Sequence, residues 1–169
     1  MRNEGAKIPP SLAPRLLDAA ELLLEEGKRS RAFRRRAVST AYYAVFHALT
    51  KVCADYLTRS APRSTDEYER VYRSLNHGPL KDAFAQSPIK DNARLSRIRT
   101  AFGKLQTARE DADYRPPVID VVSALEAREL LDQALEAIED LERLKPADED
   151  CRILAINLAV PKRRRDRTV

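Results

Sequence analysis

Apolar side chains recur every three or four residues along most of the chain, which is the period of a helix with one buried face. Alternation with a period of two, typical of a half-buried strand, is almost absent before the C-terminal segment. The pattern predicts an all-α fold, an antiparallel helical bundle of four main helices and one short helix.

The first two predicted helices carry the clearest apolar stripes. The first begins after Pro10 and ends at Gly27, because glycine commonly terminates helices. The second, over 30–57, is the longest, and its two adjacent stripes indicate packing against more than one neighbour. The stripe of the first helix contains Leu12, Leu16, Ala19 and Leu23, and those of the second contain Phe33, Ala37, Ala41, Val45, Ala48, Val52 and Tyr56, and Val38, Tyr42, Leu49 and Cys53.

Capping residues and prolines mark the helix boundaries in the rest of the chain. Ser64 and Thr65 are good N-cap residues, and Gly78 with Pro79 ends one helix and starts a short one. The helices are predicted over 64–76, 79–86, 92–112 and 120–144. The inward side chains of the last two are Leu95, Ile98, Phe102 and Leu105, and Val121, Leu125, Leu131, Leu135, Ile138 and Leu141.

The C-terminal segment has a different composition from the bundle. We expect the bundle to span 11–144 and residues 145–169 to form a C-terminal arm with a basic tail. The stretch DCRILAINLAV is apolar and β-branched, which predicts an extended arm packed on the bundle or on a partner. The final PKRRRDRTV is either a flexible solubilising terminus or a nucleic-acid contact.

The charge of the chain is mildly basic and unevenly distributed. Its 169 residues include 31 Lys and Arg against 26 Asp and Glu, a net charge of +5. Because the segment 118–150 carries 11 acidic and 3 basic side chains, the remainder carries a net charge of +13. Such a remainder is either an ordinary solvated surface or a surface that binds an anion, and it is compatible with RNA or DNA.

Several function classes are disfavoured by the motifs that the sequence lacks. It has no P-loop, Rossmann, zincin or α/β-hydrolase motif. Cys53 and Cys151 have no neighbour at metal-ligand spacing, so we expect no disulfide framework, no metal and no cofactor. No segment approaches the roughly twenty apolar residues of a membrane span, and we expect a cytoplasmic protein with no membrane contact.

His77 is the strongest candidate for chemistry, because Arg70 and Arg73 precede it at helical spacing. All three side chains are expected along one side of a helix, with the imidazole protonated by the C-terminal end of the helix dipole. The grouping suits metal-independent RNA cleavage, in which a histidine moves a proton and guanidinium groups stabilise the phosphate charge. Since cleavage needs an acid and a base, one catalytic histidine per chain implies a homodimer with both sites facing one cleft.

A structural arrangement fits the same spacing. Arg70 and Arg73 can pair with acidic neighbours such as Glu69, while His77 caps a break between helices. His47 lies in the most apolar helix, where a hydrogen-bonded core or interface histidine is the simpler interpretation.

Two further groups are interpreted as structural rather than as substrate contacts. Arg109 and Asp113 are four residues apart at a helix end, so an ion pair and a buried Tyr114 ring are expected to lock the following turn. Tyr42 and Tyr43 are expected to pack within the bundle or at a dimer contact rather than to stack on bases.

Three segments make the sequence resemble the HEPN family of small bacterial and archaeal helical proteins. RRRAVSTAYYAVFHALTKVC is similar to the family's second helix, which is rich in Ser, Arg, Ala and Tyr. LNHGPLKDAF is similar to the family's His-Gly helix start, and TAREDADYRPP to its Arg-x-x-x-Ala-Asp-Tyr turn. With the final EARELLDQALEAIEDLE helix, the resemblance covers roughly 11–144.

The resemblance implies a helical bundle, commonly dimeric, that binds or cuts RNA in toxin–antitoxin pairs, phage defence or RNA processing. Active members are similar in having an Arg, four to six residues and then a His, which Arg70 and His77 fit. We therefore expect a metal-independent endoribonuclease, the toxin or effector of a two-component system, with an antitoxin or nucleotidyltransferase as partner. The expected catalytic residues are His77, Arg70 and Arg73, and the expected RNA-binding residues are Arg34, Arg35, Arg36 and Asn76.

Two other functions remain open at this point. One is a non-catalytic HEPN adaptor that binds RNA or a partner protein through the basic surface. The other is a structural interaction protein that uses the apolar C-terminal arm and has no salt-dependent affinity for RNA.

Overall fold

The computed structural model describes residues 11–26, 30–59 and 62–160. Within these ranges the chain is all-helical and contains no strand, as the sequence predicts. The α-helices are α1 Leu12–Glu26, α2 Arg31–Thr58, α3 Asp66–Tyr72, α4 His77–Phe84, α5 Ser96–Tyr114, α6 Ala124–Arg143 and α7 Glu149–Ala159. The predicted helix stop at Gly27 and the basic tail over 161–169 lie outside the described residues.

The 28-residue helix α2 is the central element, and α1, α3, α5, α6 and α7 all pack against it. Members of both predicted stripes are fully buried, among them Ala41, Tyr42, Val45 and Leu49. The prediction that α2 packs against more than one neighbour is therefore confirmed. Phe33 is an exception, since it lies in the first turns of α2 and its side chain is 43% exposed.

The buried face of α1 is displaced by one residue from the predicted stripe. Ala13, Leu17, Ala20 and Leu24 are buried, whereas Leu16 and Leu23 are only partly buried. Leucines are paired at 16–17 and 23–24, so two apolar rows run side by side along the helix. The periodicity is the same for both rows, and packing against α2 and α6 decides which of them is inward.

Helix α6 begins later than predicted, after a capping box. Ser123 accepts a hydrogen bond from the backbone N–H of Glu126, whose carboxylate accepts one from the backbone N–H of Ser123. Leu131, Ile138 and Leu141 are buried as predicted, but Leu125 and Leu135 are exposed. The other buried positions are alanines, Ala127, Ala134 and Ala137, whose small side chains allow close packing of α6 against α2.

The prediction of an extended C-terminal arm is wrong for its described part. Residues Glu149–Ala159 form helix α7, which packs on α2 and buries Cys151, Leu154, Ala155 and Leu158. Glu149 lies in the first turn of α7, where an acidic side chain favours a helix. Burial of this apolar face against α2 outweighs the modest strand propensity of the two isoleucines in the segment.

None of the helices in the described ranges has a stretch long and apolar enough to cross a membrane.

Candidate functional site

The predicted line of Arg70, Arg73 and His77 along one helix is not formed. Helix α3 ends at Tyr72, and His77 is the first residue of α4. The backbone of Asn76 is extended, with φ −115° and ψ 132°, so the helix is broken before Gly78 rather than at it. The spacing of seven and four residues therefore does not align these side chains.

Arg70 of α3 and Arg73, the C-cap residue of the same helix, are both engaged by residues of α3. The Nε of Arg70 donates a hydrogen bond to the carbonyl oxygen of Asp66 at 3.3 Å. The Nη1 of Arg73 lies 3.1 Å from a carboxylate oxygen of Glu69, and both side chains of this pair are largely exposed. This is the alternative arrangement considered above, in which the arginines pair locally.

The imidazole of His77 is held by the aromatic side of α2. Its Nδ1 lies 2.9 Å from the Oη of Tyr42. The ring stacks on Phe46 at a centroid distance of 3.9 Å and meets the Tyr43 ring edge-on at 5.5 Å. The amide of Gln106 on α5 donates a hydrogen bond to the backbone oxygen of His77 at 3.2 Å, which ties the start of α4 to α5.

The protonation of His77 differs from the sequence-based prediction. Burial, together with the nearby Arg109 guanidinium, lowers the pKa of His77 below its ordinary value. His77 also begins a helix rather than ending one, and the positive end of the helix dipole disfavours a cation there. The imidazole is therefore neutral at neutral pH, a state that accepts a proton rather than donating one as a cation.

The hydroxyl of Tyr42 supports this neutral imidazole. Burial raises the pKa of Tyr42, so its phenol stays protonated and can act as both a donor and an acceptor toward Nδ1. The Nε2 of His77 makes no hydrogen bond within the described residues. The phenol therefore anchors the imidazole through its Nδ1.

Arg109 on α5 is the cation next to His77. Its Nε lies 2.9 Å from a carboxylate oxygen of Asp113, and its Nη2 donates a hydrogen bond to the Oη of Tyr43 at 3.1 Å. The guanidinium carbon lies 5.3 Å from the centroid of the Tyr114 ring. The predicted ion pair is confirmed, but the predicted burial of Tyr114 is wrong, since this residue is 73% exposed.

Asp113 joins the end of α5 to α2. It accepts a hydrogen bond from the Oγ of Ser39 at 2.6 Å, and the Nη1 of Arg36 lies 3.8 Å from the same carboxylate oxygen. The carboxylate therefore faces cations and donors from both helices. It fixes Arg109 in place and partly offsets its charge.

Two of the three arginines predicted to bind RNA hold the connection between α5 and α6. Arg34 is buried, and its Nε donates a hydrogen bond to the carbonyl oxygen of Val122 at 3.2 Å. The guanidinium of Arg35 donates to four carbonyl oxygens at 2.7 to 3.1 Å, those of Ala112, Arg115, Pro116 and Ile119. Of the three, Arg36 has the exposed side chain.

Asn76, the fourth residue predicted to bind RNA, directly precedes His77 as the N-cap of α4. Its side chain is exposed and donates a hydrogen bond to the carbonyl oxygen of Ser74 at 3.3 Å, without capping the helix.

His47 lies on the same side of α2, close to His77. Its Nδ1 is 2.7 Å from the Oη of Tyr72, and its ring meets Phe46 edge-on at 5.6 Å. Burial lowers the pKa of His47, and so does the neighbouring His77. The predicted hydrogen-bonded histidine is confirmed, in a half-buried position.

These contacts link a set of exposed or partly exposed side chains, which we call the His77 face. It consists of Arg36, Tyr43, His47, Tyr72, His77, Arg109 and Tyr114. It combines cations with partly exposed aromatic rings and two imidazoles. Within the described ranges, no three or more His, Cys, Asp and Glu side chains are grouped as they would be in a metal site.

Sequence reasoning missed the role of Arg109 beside His77. A signal is present in the apolar stripe of α5, because Arg109 follows Ile98, Phe102 and Leu105 at the same three- and four-residue spacing. An arginine in an inward register needs a buried or half-buried partner, which marks it as a site candidate.

Comparison of the chain with protein-family models, with curated proteins and with solved structures returned no match.

Proposed function

We propose that the protein is a metal-independent endoribonuclease of the HEPN type, with His77 and Arg109 at the cleaved phosphodiester. The observation that carries the proposal is the anchored neutral imidazole of His77 beside the Arg109 guanidinium. Arg109 takes the place that the sequence-based hypothesis gave to Arg70 and Arg73, whose side chains bond to Asp66 and Glu69 of α3.

The residues on the His77 face fit transesterification of RNA. The Nε2 of His77 accepts the proton of the 2′-hydroxyl, and the 2′-oxygen forms a bond to phosphorus as the bond from phosphorus to the 5′-oxygen breaks. The Arg109 guanidinium stabilises the negative charge on the non-bridging oxygens. The leaving 5′-oxygen takes up a proton, so the products are a 2′,3′-cyclic phosphate and a 5′-hydroxyl.

The side chains around this pair support a single-stranded RNA as substrate. Tyr43, Tyr72 and Tyr114 supply aromatic rings at the surface or partly exposed, on which bases can stack. Arg36 adds an exposed cation at one end of the face. A cavity of about 270 Å³ near Asp55 lies outside the His77 face. The face itself is an open surface, which suits a polymer better than a small metabolite.

The biological setting that we propose follows from the same hypothesis. We propose that this ribonuclease is the toxin or effector of a two-component system, that it acts in the cytoplasm as a homodimer, and that an antitoxin or nucleotidyltransferase partner holds it inactive.

A second candidate is a non-catalytic HEPN adaptor that binds RNA or a partner protein. It is favoured by the dense aromatic packing around His77, in which the imidazole stacks on Phe46 and contacts Tyr42 and Tyr43. Such packing also serves a structural role. The adaptor predicts RNA affinity that does not depend on the imidazole of His77.

End-labelled RNA incubated with the purified protein in EDTA tests the proposal. We expect cleavage with 2′,3′-cyclic phosphate ends, a loss of at least about 100-fold in His77→Ala, and a similar loss in Arg109→Gln. Arg143→Ala is the matched control, because Arg143 is a surface arginine of α6 with local ion pairs.

The outcomes separate the hypotheses. Loss of cleavage in Arg70→Ala and Arg73→Ala but not in Arg109→Gln would support the sequence-based residues instead. RNA binding without cleavage, unchanged in His77→Ala, would support the adaptor.

A further inference from the structure

RNA cleavage by proton transfer requires a second group that protonates the leaving oxygen. If His77 is the one catalytic histidine of each chain, a second protomer can supply this group. In the described structure another histidine of the same chain, His47, contacts the same Phe46 ring as His77.

The rings of His47 and His77 both contact one aromatic side chain, that of Phe46. The ring of Phe46 stacks on His77 at 3.9 Å and meets His47 edge-on at 5.6 Å. Burial, and after it the nearby His77, lowers the pKa of His47 below its ordinary value.

The two imidazoles are also supported in the same way. The Nδ1 of His77 pairs with the hydroxyl of Tyr42, and the Nδ1 of His47 pairs with the hydroxyl of Tyr72. Within the described residues, neither Nε2 has a hydrogen-bond partner. Each imidazole is thus oriented by a tyrosine hydroxyl at its Nδ1.

We propose that His47 is the second proton-transfer residue, so that a single protomer supplies both the base and the acid for cleavage of RNA. This inference rests on the proposed ribonuclease function. His77 takes the proton of the 2′-hydroxyl, and protonated His47 gives a proton to the leaving 5′-oxygen. Solvent then returns each imidazole to its starting form.

The pH dependence follows from the groups that face each imidazole. Among the described residues, Tyr72 on α3 and His77 on α4 face His47, while Tyr42 and Tyr43 on α2 and Arg109 on α5 face His77. None of these groups is a carboxylate. Cleavage needs one neutral and one protonated imidazole, so we expect a bell-shaped rate profile with its maximum below the ordinary histidine pKa of about 6.5.

A substrate with a sulfur leaving group tests the role of His47 directly. In RNA with a bridging 5′-phosphorothiolate at the cleaved bond, the departing thiolate needs no proton. We expect His47→Gln to slow cleavage of ordinary RNA by about 100-fold or more, with near wild-type cleavage of the phosphorothiolate RNA. His77→Gln should slow cleavage of both substrates, because the base is still needed.

A structural role for His47 would give a different result. If His47→Gln slows both substrates equally, or slows neither, the inference is overturned while wild-type cleavage leaves the ribonuclease function standing. If the wild-type protein cleaves neither RNA, both proposals are overturned. Tyr68→Phe serves as the matched control, since Tyr68 is a buried α3 tyrosine bonded to Asp55 rather than to a histidine.

A mixing experiment shows whether the two histidines act in one protomer. Equal amounts of His47→Gln and His77→Gln chains, unfolded and refolded together, should remain inactive. Recovery of cleavage in the mixture would mean that His47 and His77 of different protomers form the site, and would overturn the single-protomer arrangement.

Discussion

The imidazole of His77 is bonded to a phenol rather than to a carboxylate, and this partner affects its pKa. A carboxylate beside an imidazole raises the pKa of the imidazole, whereas a neutral hydroxyl does not. Burial and the Arg109 charge therefore lower the pKa of His77, and the ring is not bonded to a carboxylate that would raise it. The result is an imidazole ready to accept a proton at neutral pH.

Removal of the anchoring hydroxyl tests this arrangement. We expect Tyr42→Phe to lower the free energy of unfolding by about 1 kcal/mol, because the fully buried ring remains but one hydrogen bond is lost. Cleavage should fall about 10-fold as the imidazole loses its orientation. Urea unfolding and the RNA cleavage rate are the measurements.

Tyr68→Phe is the matched control here as well. It also removes a hydroxyl from a buried ring, but that hydroxyl donates to Asp55. Equal losses of cleavage in the two variants would show that the effect of Tyr42→Phe arises from general destabilisation.

The apolar periodicity predicts which residues fill the core more reliably than which residues meet at the site. The period of three and four places Ile98, Phe102 and Leu105 inward, and all three are buried. It does not reveal that Arg109, in the same row, lies next to His77 from a different helix. That contact depends on where α4 starts, which is set by the extended backbone at Asn76.

At the level of elements, the connection between α5 and α6 is held by arginines at the start of α2. Arg35 donates to four carbonyl oxygens of residues 112–119, and Arg34 bonds to Val122 and Asp120. Carbonyl groups at a helix end and in a loop lack intrahelical donors, so a guanidinium fork is well suited to them. The basic cluster thus fixes the loop that follows Asp113.

Substitution of Arg35 should therefore loosen one connection selectively. We expect Arg35→Ala to lower the free energy of unfolding by about 1 to 2 kcal/mol and to speed amide exchange in 115–122. Arg36→Ala, on the same turn but exposed and 3.8 Å from its partner, should cost less than about 0.5 kcal/mol. Unfolding in urea and amide hydrogen exchange are the measurements, and equal costs in the two variants would contradict this role.

Element types are predictable from this sequence where the apolar pattern is long, and less so where it is short. Helices α2, α5 and α6 are found near their predicted ranges because 19 to 28 residues carry a consistent stripe. Helix α7 has 11 residues, and its helical state depends on its packing against α2. This packing cannot be predicted from the local sequence of α7. The same limit applies to α1, where two leucine rows are equivalent until α2 and α6 select one.

For the molecule as a whole, both histidines lie in surroundings that disfavour their charged forms. Their pKa values are lowered in the folded protein, chiefly by burial, and return to about 6.5 in the unfolded chain. As the pH falls from 7.5 toward 5.5, the unfolded chain takes up protons first. Stability contributed by the two neutral imidazoles is therefore present above pH 6.5 and is lost as the pH falls through their folded-state values.

We accordingly expect the free energy of unfolding to be lower at pH 5.5 than at pH 7.5. In the double variant His47→Gln/His77→Gln most of this difference should disappear. Urea unfolding at the two pH values measures it. A wild-type protein that becomes more stable as the pH falls over this range would contradict the folded-state environment described for both side chains.

Helix α2 packs against five other helices along its length and also carries Tyr43 and His47 of the His77 face. The backbone beneath the His77 face therefore belongs to the most cooperative part of the fold, and its amides should be among the last to exchange. A ligand bound to this face meets groups that were ordered before it arrived, so little conformational entropy is lost from the protein on binding. If the ligand is RNA, the RNA rather than the protein would then have to change its conformation on binding.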